Sequence, residues 1–259
     1  MFNGIHGKKA LITGAGRGLG RYISKFLAEQ GAEIIAVSRT EKHLSSLVKE
    51  IGGEQKGHLA IPIDFFKPDA CQILTDCLKR DNISPDIIVH NVGGNLDITN
   101  PLCSIEDWRL VMRINVEIPI ELNRIFIPDM QKKNWGRICH VSSISALENQ
   151  GPPSYCAAKA ALIAYTRSLG RFVSPQGVII TTVLPGPIMI EDGYWHRASQ
   201  ERPEHVEKFL TERMAIKRFG EPHEISQLVG FLCSDMASFC VGSAFLVDGG
   251  QGRVFYAQE

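Results

Sequence analysis

The sequence predicts an α/β fold, a single domain over residues 1–259 built on a doubly wound parallel sheet of about seven strands with helices on both faces. Three observations carry this reading. Short apolar segments rich in Ile, Val and Leu alternate with longer amphipathic ones, the pattern of parallel strands joined by crossover helices. A glycine-rich turn, Gly14-Ala15-Gly16-Arg17-Gly18-Leu19-Gly20, joins the first strand to the first helix. No tandem repeat, linker or low-complexity stretch divides the chain, and 259 residues suffice for one full core.

Composition narrows the function. The 28 basic and 28 acidic residues are interspersed, so nothing recommends nucleic acid or an anionic membrane as partner. Seven cysteines without paired spacing suit free thiols in a reducing compartment, and no spacing suggests a metal site. The amino-terminal residues lack a signal-peptide pattern and no apolar run approaches a membrane span, so a cytoplasmic location is expected.

Residues 8–13 (KKALIT) read as a buried strand, and the helix after the glycine turn runs to about residue 30. Glycines let the backbone turn sharply and approach a pyrophosphate, whose charge the free N–H groups of the helix start stabilise. The spacing is Thr13-Gly14-x-x-x-Gly18-x-Gly20, with Leu19 where the fingerprint G-x-G-x-x-G needs its last glycine. The second strand, 33–37, runs into Ser38-Arg39-Thr40, with no acid to bind an adenosine 2′-hydroxyl. Arg17 and Arg39 can instead converge on a 2′-phosphate, which predicts NADP(H). A helix over 41–51 and a third strand, 58–63, lead to Asp64-Phe65, where Asp64 can accept from an adenine amino group. A helix within 67–80 and a fourth strand, 86–90, lead to Asn91-Val92-Gly93-Gly94, small enough for a cofactor to lie close.

Residues 105–133 read as one helix kinked at Pro119, which cannot donate to the carbonyl of Asn115. A carbonyl freed in this way can hold a water on a proton path, and a kink without function fits the same residues. The fifth strand, 138–142, ends at Ser142-Ser143, of which strand alternation points one inward. The loop 144–153 returns to Ser154-Tyr155-Cys156-Ala157-Ala158-Lys159, the start of an Ala-rich helix. Tyr155 and Lys159 therefore lie one turn apart on one face. An ammonium about 4 Å from a phenolate is worth about 4 kcal/mol at an effective dielectric near 20, enough to bring a tyrosine pKa from about 10 to about 7. Such a tyrosine can exchange a proton near neutral pH. A sixth strand, 178–184, and the turn Pro185-Gly186-Pro187 precede a polar stretch, 188–215, that reads as a substrate lid. A helix over 222–233 and a last strand, 244–247, followed by Asp248-Gly249-Gly250, close the domain.

Together these residues resemble the short-chain dehydrogenase/reductase family in its single-domain form, over essentially the whole chain. Thr13-Gly14-x-x-x-Gly18-x-Gly20, Asp64, Asn91-x-Gly93, Asn115, the serine pair, Tyr155-x-x-x-Lys159, Pro185-Gly186 and Val247-Asp248-Gly249-Gly250 fall in the family's order. The resemblance implies a Rossmann-type fold, with Tyr155 as general acid or base and Lys159 lowering its pKa and binding the nicotinamide ribose. It further implies a serine polarising the carbonyl and Asn115 holding the water that links Lys159 to solvent. The cofactor contacts it implies come from Gly14, Gly16, Arg17, Gly18, Leu19, Gly20, Ser38, Arg39, Asp64, Phe65, Asn91, Val92, Gly93, Tyr155, Lys159, Pro185, Gly186 and Ile188. A homotetramer is also implied.

Two departures matter. The family's serine is usually the second of such a pair and usually lies thirteen residues before the tyrosine; here Ser143 lies twelve before Tyr155 and Ser142 thirteen. Ser143 is favoured, because its register after Gly136-Arg137 and before Ile144-Ser145-Ala146 matches. Ile190 stands where members often carry a threonine that contacts the nicotinamide carboxamide, so the main chain near Ile188 must do more.

The implied reaction is hydride transfer between NADP(H) and a carbonyl or secondary alcohol. The pattern, including Arg218-Phe219-Gly220-Glu221-Pro222, is most like 3-oxoacyl-[acyl-carrier-protein] reductase-like members. Glu148, Asn149, Gln150, Glu191, Asp192, Trp195 and His196 are more polar than an acyl site needs. Glu148, Gln150 and Trp195 are accordingly candidate contacts for a sugar, nucleotide-sugar or other polyol. A non-catalytic NADP(H)-binding sensor or scaffold would use the same fold, but it has no need of a complete Asn115, Ser143, Tyr155 and Lys159.

Overall fold

The computed structural model describes residues 2–148 and 150–253; Asn149 lies outside them. The strands are β1 (Lys9–Thr13), β2 (Glu33–Ser38), β3 (Leu59–Pro62), β4 (Ile87–His90), β5 (Gly136–Val141), β6 (Val178–Pro185) and β7 (Ala244–Val247). The helices are α1 (Gly18–Glu29), α2 (Glu41–Glu50), α3 (Ala70–Arg80), α4 (Ile105–Met112), α5 (Ile118–Lys132), α6 (Pro153–Val173), α7 (Tyr194–Glu201), α8 (Pro203–Arg213) and α9 (Pro222–Leu232). Among the described residues the seven strands form one parallel sheet in the order β3-β2-β1-β4-β5-β6-β7. β5 and β6 are buried at every residue, as central parallel strands covered on both faces are, with Arg137, His140, Thr181 and Thr182 as their buried polar members.

Each face of the sheet has its own core. Ile12, Ile34, Val89 and Val183 pack with Ile23 and Leu27 of α1 and Val229 of α9. Leu11, Ile35, Ile88 and Ile138 pack on the other face with Leu74 of α3 and Leu122 of α5. Each fully buried Ile or Leu contributes about 1.5–3 kcal/mol, so the sheet is clamped from both sides. Strand order reverses between β1 and β4, and the diverging crossovers open a crevice at the carboxyl ends of these strands.

Two segments differ from expectation in form. The helix read over 105–133 is α4, then a π-turn at Arg113–Glu117, then α5. Pro119 sits in the first turn of α5, where its missing N–H is tolerated, and the wide turn before it contains Asn115. Arg113 bridges the π-turn, pairing with Glu117 at 3.5 Å and with Glu121 beyond it. The lid is a pair of short helices, α7 and α8, with a small core of its own around Ala198, Val206 and Phe219. Its base is tied off where Met189 N–H donates to Gly220 O (2.8 Å) and Gly220 N–H to Pro187 O (3.0 Å). Among the described residues no helix is long and apolar enough to cross a membrane.

Candidate active site

The crevice is a cavity of about 710 Å³. It is lined by Gly14, Gly16, Arg17, Gly18, Ser38, Arg39, Asp64, Phe65, Asn91, Val92 and Gly93, all of them expected there from the sequence. Thr13 builds the corner: its Oγ1 accepts the amides of Asn91 and Val92, both at 3.0 Å. Asn91 Nδ2 returns two bonds of 3.2 Å to the carbonyls of Thr13 and Gly14. The ends of β1 and β4 are thus fixed to each other. Gly14 and Gly18 have φ of +69° and +56°, and a Cβ on Gly20 would lie 2.3 Å from Gly14 O, so backbone packing requires glycine there. Leu19 packs toward the core instead.

This donor set fits NADP(H). No side chain caps the start of α1 and its first turn carries no acid, which leaves its amides free for a pyrophosphate. Ser38 Oγ is buried without a partner, 2.6 Å from where a Cβ on Gly16 would stand. Arg17 and Arg39 line the same end of the cavity, and the Arg39 guanidinium lies 5.4 Å from the centroid of the Phe66 ring. A 2′-phosphate meets two cations there and no carboxylate at the end of β2. Asp64 also lines the cavity, with Oδ1 accepting from Phe66 N–H at 3.2 Å. Pro185, Gly186 and Ile188 are not among the residues that line it: Gly186 is packed on Asp248, and Ile188 bridges to Gly220. Ile190 reaches back to within 3.8 Å of a Cβ placed on Gly18, so the start of the lid overhangs the glycine turn.

The reacting group lies where β5 meets α6. Ser142 is 4% exposed and its Oγ donates to Lys159 O at 2.9 Å, into the helix backbone. Ser143 makes no such bond, and its hydroxyl is near enough to the Tyr155 phenol to oppose the rise in its pKa. Ser145 supports it, donating its N–H to Ser143 Oγ (3.1 Å), accepting from that hydroxyl (3.2 Å) and donating its own to Gln150 O (2.7 Å). Lys159 Nζ donates to Val141 O at 2.8 Å, and burial brings its pKa down to about 8. A Cβ on Gly93 would stand 3.2 Å from Lys159 Nζ, so the amine meets the cofactor cavity at that glycine. Asn115 completes the floor. Its Oδ1 accepts from Gly94 N–H (3.1 Å), and its Nδ2 donates to Gly94 O and to Val111 O, both at 2.8 Å.

Two expectations are corrected. Lys159 does not lower the Tyr155 pKa here: its ammonium is drawn to the carbonyl at the end of β5, 5.6 Å from the centroid of the phenol ring. Burial holds the Tyr155 phenol above its ordinary value, and the Ser143 hydroxyl works against that. Trp195, expected as a substrate contact, is built into the core of the lid. Its ring packs on Phe209 (4.2 Å) and Phe219 (4.8 Å), because two short helices standing off the sheet need an aromatic core between them. Glu148 and Gln150 do stand in the loop before Tyr155, held by the chain after β7: Glu148 accepts the Arg253 N–H at 2.6 Å and Gln150 bonds Gln251. Ser145, Gln251 and the corner hydroxyl of Thr13 were not singled out as site residues. Thr13 opens the glycine-turn motif and Ser145 lies two residues after the favoured serine, and these positions were the signals on offer.

Comparison with known proteins gives the class. A family model described as enoyl-(acyl carrier protein) reductase matches residues 14–251. The 3-oxoacyl-[acyl-carrier-protein] reductase FabG of Vibrio cholerae serotype O1 is 31% identical over 247 residues, 95% of this chain and 98% of the relative. The crystal structure of L-sorbose reductase from Gluconobacter frateurii, complexed with NADPH and L-sorbose, matches with a TM-score of 0.89 at 28% identity, covering 99% of this chain and all of that one. A 3-oxoacyl (acyl-carrier-protein) reductase from Agrobacterium tumefaciens C58 with NADP bound matches with a TM-score of 0.86 at 25% identity over 95% of each chain. The chain belongs to the short-chain dehydrogenase/reductase family. It is an oxidoreductase that works between a carbonyl and an alcohol.

Proposed function

We propose that this enzyme reduces, with NADPH, the ketone of a small polyhydroxylated substrate, using Tyr155, Ser143, Lys159 and Asn115. The observation that carries the reaction is that Lys159 Nζ, one turn from Tyr155 on α6, stands 3.2 Å from a Cβ placed on Gly93, a residue lining a cavity that fits a phosphorylated dinucleotide. NADPH, when bound, supplies the hydride. A phenol held above its ordinary pKa is protonated at neutral pH, the form that donates a proton to a ketone oxygen. Ser143 polarises that oxygen from the side, and Ser145 keeps its hydroxyl in place. Lys159, partly deprotonated near neutral pH, returns a proton toward Tyr155, and the main-chain carbonyl of Asn115 in the π-turn holds the water that resupplies it.

The polyol reading is supported by the likeness to the L-sorbose reductase of Gluconobacter frateurii; the Glu148 carboxylate and the Gln150 amide stand in the loop that leads to Tyr155, tied to Arg253 and Gln251. A second reading, reduction of a 3-oxoacyl thioester, is favoured by the 31% identity to the Vibrio cholerae reductase. We further propose a homotetramer in the cytoplasm. Phe172 at the end of α6 and Phe239 before β7 are 77% and 100% exposed, apolar surface that subunit contact would cover. A reducing compartment keeps the seven cysteines as free thiols.

The test is NADPH oxidation at neutral pH with L-sorbose, related ketoses and an acetoacetyl thioester. The expected result is a kcat/KM for one ketose at least about tenfold above that for the thioester. Turnover confined to the thioester would replace the first reading by the second. NADPH binding with turnover of neither would favour a sensor.

A further inference from the structure

A chain of buried polar side chains lies beneath the site and takes no part in the reaction described. His90 and His140 are paired across β4 and β5, 1% and 0% exposed, with ring centroids 5.0 Å apart. His90 Nε2 meets Asn123 Oδ1 at 2.8 Å, and Asn123 Nδ2 meets His140 Nε2 at 3.1 Å and Tyr165 OH at 3.3 Å. His140 Nδ1 meets Thr166 Oγ1 at 2.7 Å, and Thr166 Oγ1 donates to Leu162 O at 2.9 Å.

The direction of every bond follows from the last. Thr166 gives its only proton to Leu162 O, so it accepts from His140 Nδ1–H. His140 Nε2 is then an acceptor for the Asn123 amide, and Asn123 Oδ1 takes the proton of His90 Nε2–H. Both imidazoles are neutral, each in one tautomer. A single lone pair is left over, on His90 Nδ1, which is buried and without a partner.

The chain ties together the elements that carry the active site. His90 precedes Asn91 and Val92, whose amides bond Thr13 at the cofactor corner. His140 precedes Val141, whose carbonyl receives Lys159 Nζ, and Thr166 and Tyr165 lie on the same helix as Tyr155 and Lys159. We infer that His90 and His140 are positioning residues for Lys159: the tautomer-locked pair, through Asn123 and Thr166, holds the ends of β4 and β5 against α6. A proton arriving in acid goes to the free His90 Nδ1 and places a cation beside His140 and within the field of Lys159. The groups facing the pair are Lys159 and Tyr165 of α6, Asn123 of α5 and, exposed beside Tyr165, Arg124. No carboxylate is among these to balance the new charge.

Burial brings the His90 pKa down from 6.5 to about 4, opposed by the Asn123 bond, and holds His140 well below its ordinary value. The unfolded chain therefore takes up these protons first. Stability is full above pH 6.5 and falls as pH drops toward about 4.

This inference rests on the catalytic reading of Lys159, but its test uses no substrate and is independent of whether Tyr155→Phe loses turnover. In the full-length protein, the Lys159 amine is titrated by NMR after labelling of lysine, and the imidazole tautomers are read from ¹⁵N shifts. His90→Gln keeps an N–H donor for Asn123 and cannot take a proton; His90→Leu removes the donor. The expected results are Nε2–H on His90, Nδ1–H on His140, and a Lys159 midpoint unchanged in His90→Gln but raised by at least about one pH unit in His90→Leu. A folded His90→Leu with the wild-type Lys159 midpoint overturns the inference. If His90→Leu does not fold, melting of His90→Gln decides: a loss of stability between pH 6.5 and 4 shallower than wild type supports the inference, and superimposable profiles overturn it.

Discussion

Replacing Tyr155 by Phe removes turnover, by about 10²- to 10⁴-fold in kcat, while NADPH affinity stays within about threefold. The change deletes one oxygen and keeps the ring. The ring packs with Val116 and Ala158 in a small cluster beside α6, so the helix should keep its place. The Tyr155 phenol, held above its ordinary pKa by burial, keeps at neutral pH a proton that can pass to a substrate oxygen. The cofactor cavity is built by the glycine turn, the ends of β2 and β4, and Asp64, none of which needs that oxygen. Steady-state kinetics with fluorescence titration of NADPH measures both quantities. A variant that keeps wild-type kcat would remove Tyr155 from the mechanism.

The neighbouring serines should separate cleanly. Ser143→Ala is expected to lower kcat by about 10²- to 10³-fold, because it takes away the donor to the substrate oxygen. Ser142→Ala keeps that donor and loses the bond to Lys159 O, a cost of about 1 kcal/mol in stability with kcat changed less than about tenfold. Measuring kcat and the melting midpoint of each variant decides the assignment. The reverse pattern would move the role to Ser142, the residue at the spacing usual for the family.

The glycine turn was legible because its backbone leaves no alternative: Gly20 stands against Gly14 O, and Gly14 and Gly18 have positive φ. The sheet was legible because short segments rich in Ile, Val and Leu alternate with longer amphipathic ones. Pro119 announced a break near Asn115 but could not tell a kink from a π-turn, since proline removes the same hydrogen bond in both. The lid misled for a different reason. Its two helices carry mostly polar residues, and only the fold brings Phe209 and Phe219 against Trp195. Tyr155 and Lys159 were read correctly as helix neighbours, yet spacing says nothing of where a long side chain turns, and Lys159 turns to Val141 O. His90 and His140 passed unremarked among the apolar residues of β4 and β5. Their meaning depends on Asn123 and Thr166, which reach them from two different helices.

The most direct test of the central claim is to follow the label from [4-²H]NADPH, carrying deuterium at the transferring position, into the product of whichever ketone or thioester the enzyme reduces. The account predicts deuterium on the new carbinol carbon, one per NADPH consumed, with the hydroxyl proton drawn from solvent through Tyr155. NADPH oxidised with no deuterium at that carbon, or bound and never oxidised, would contradict it.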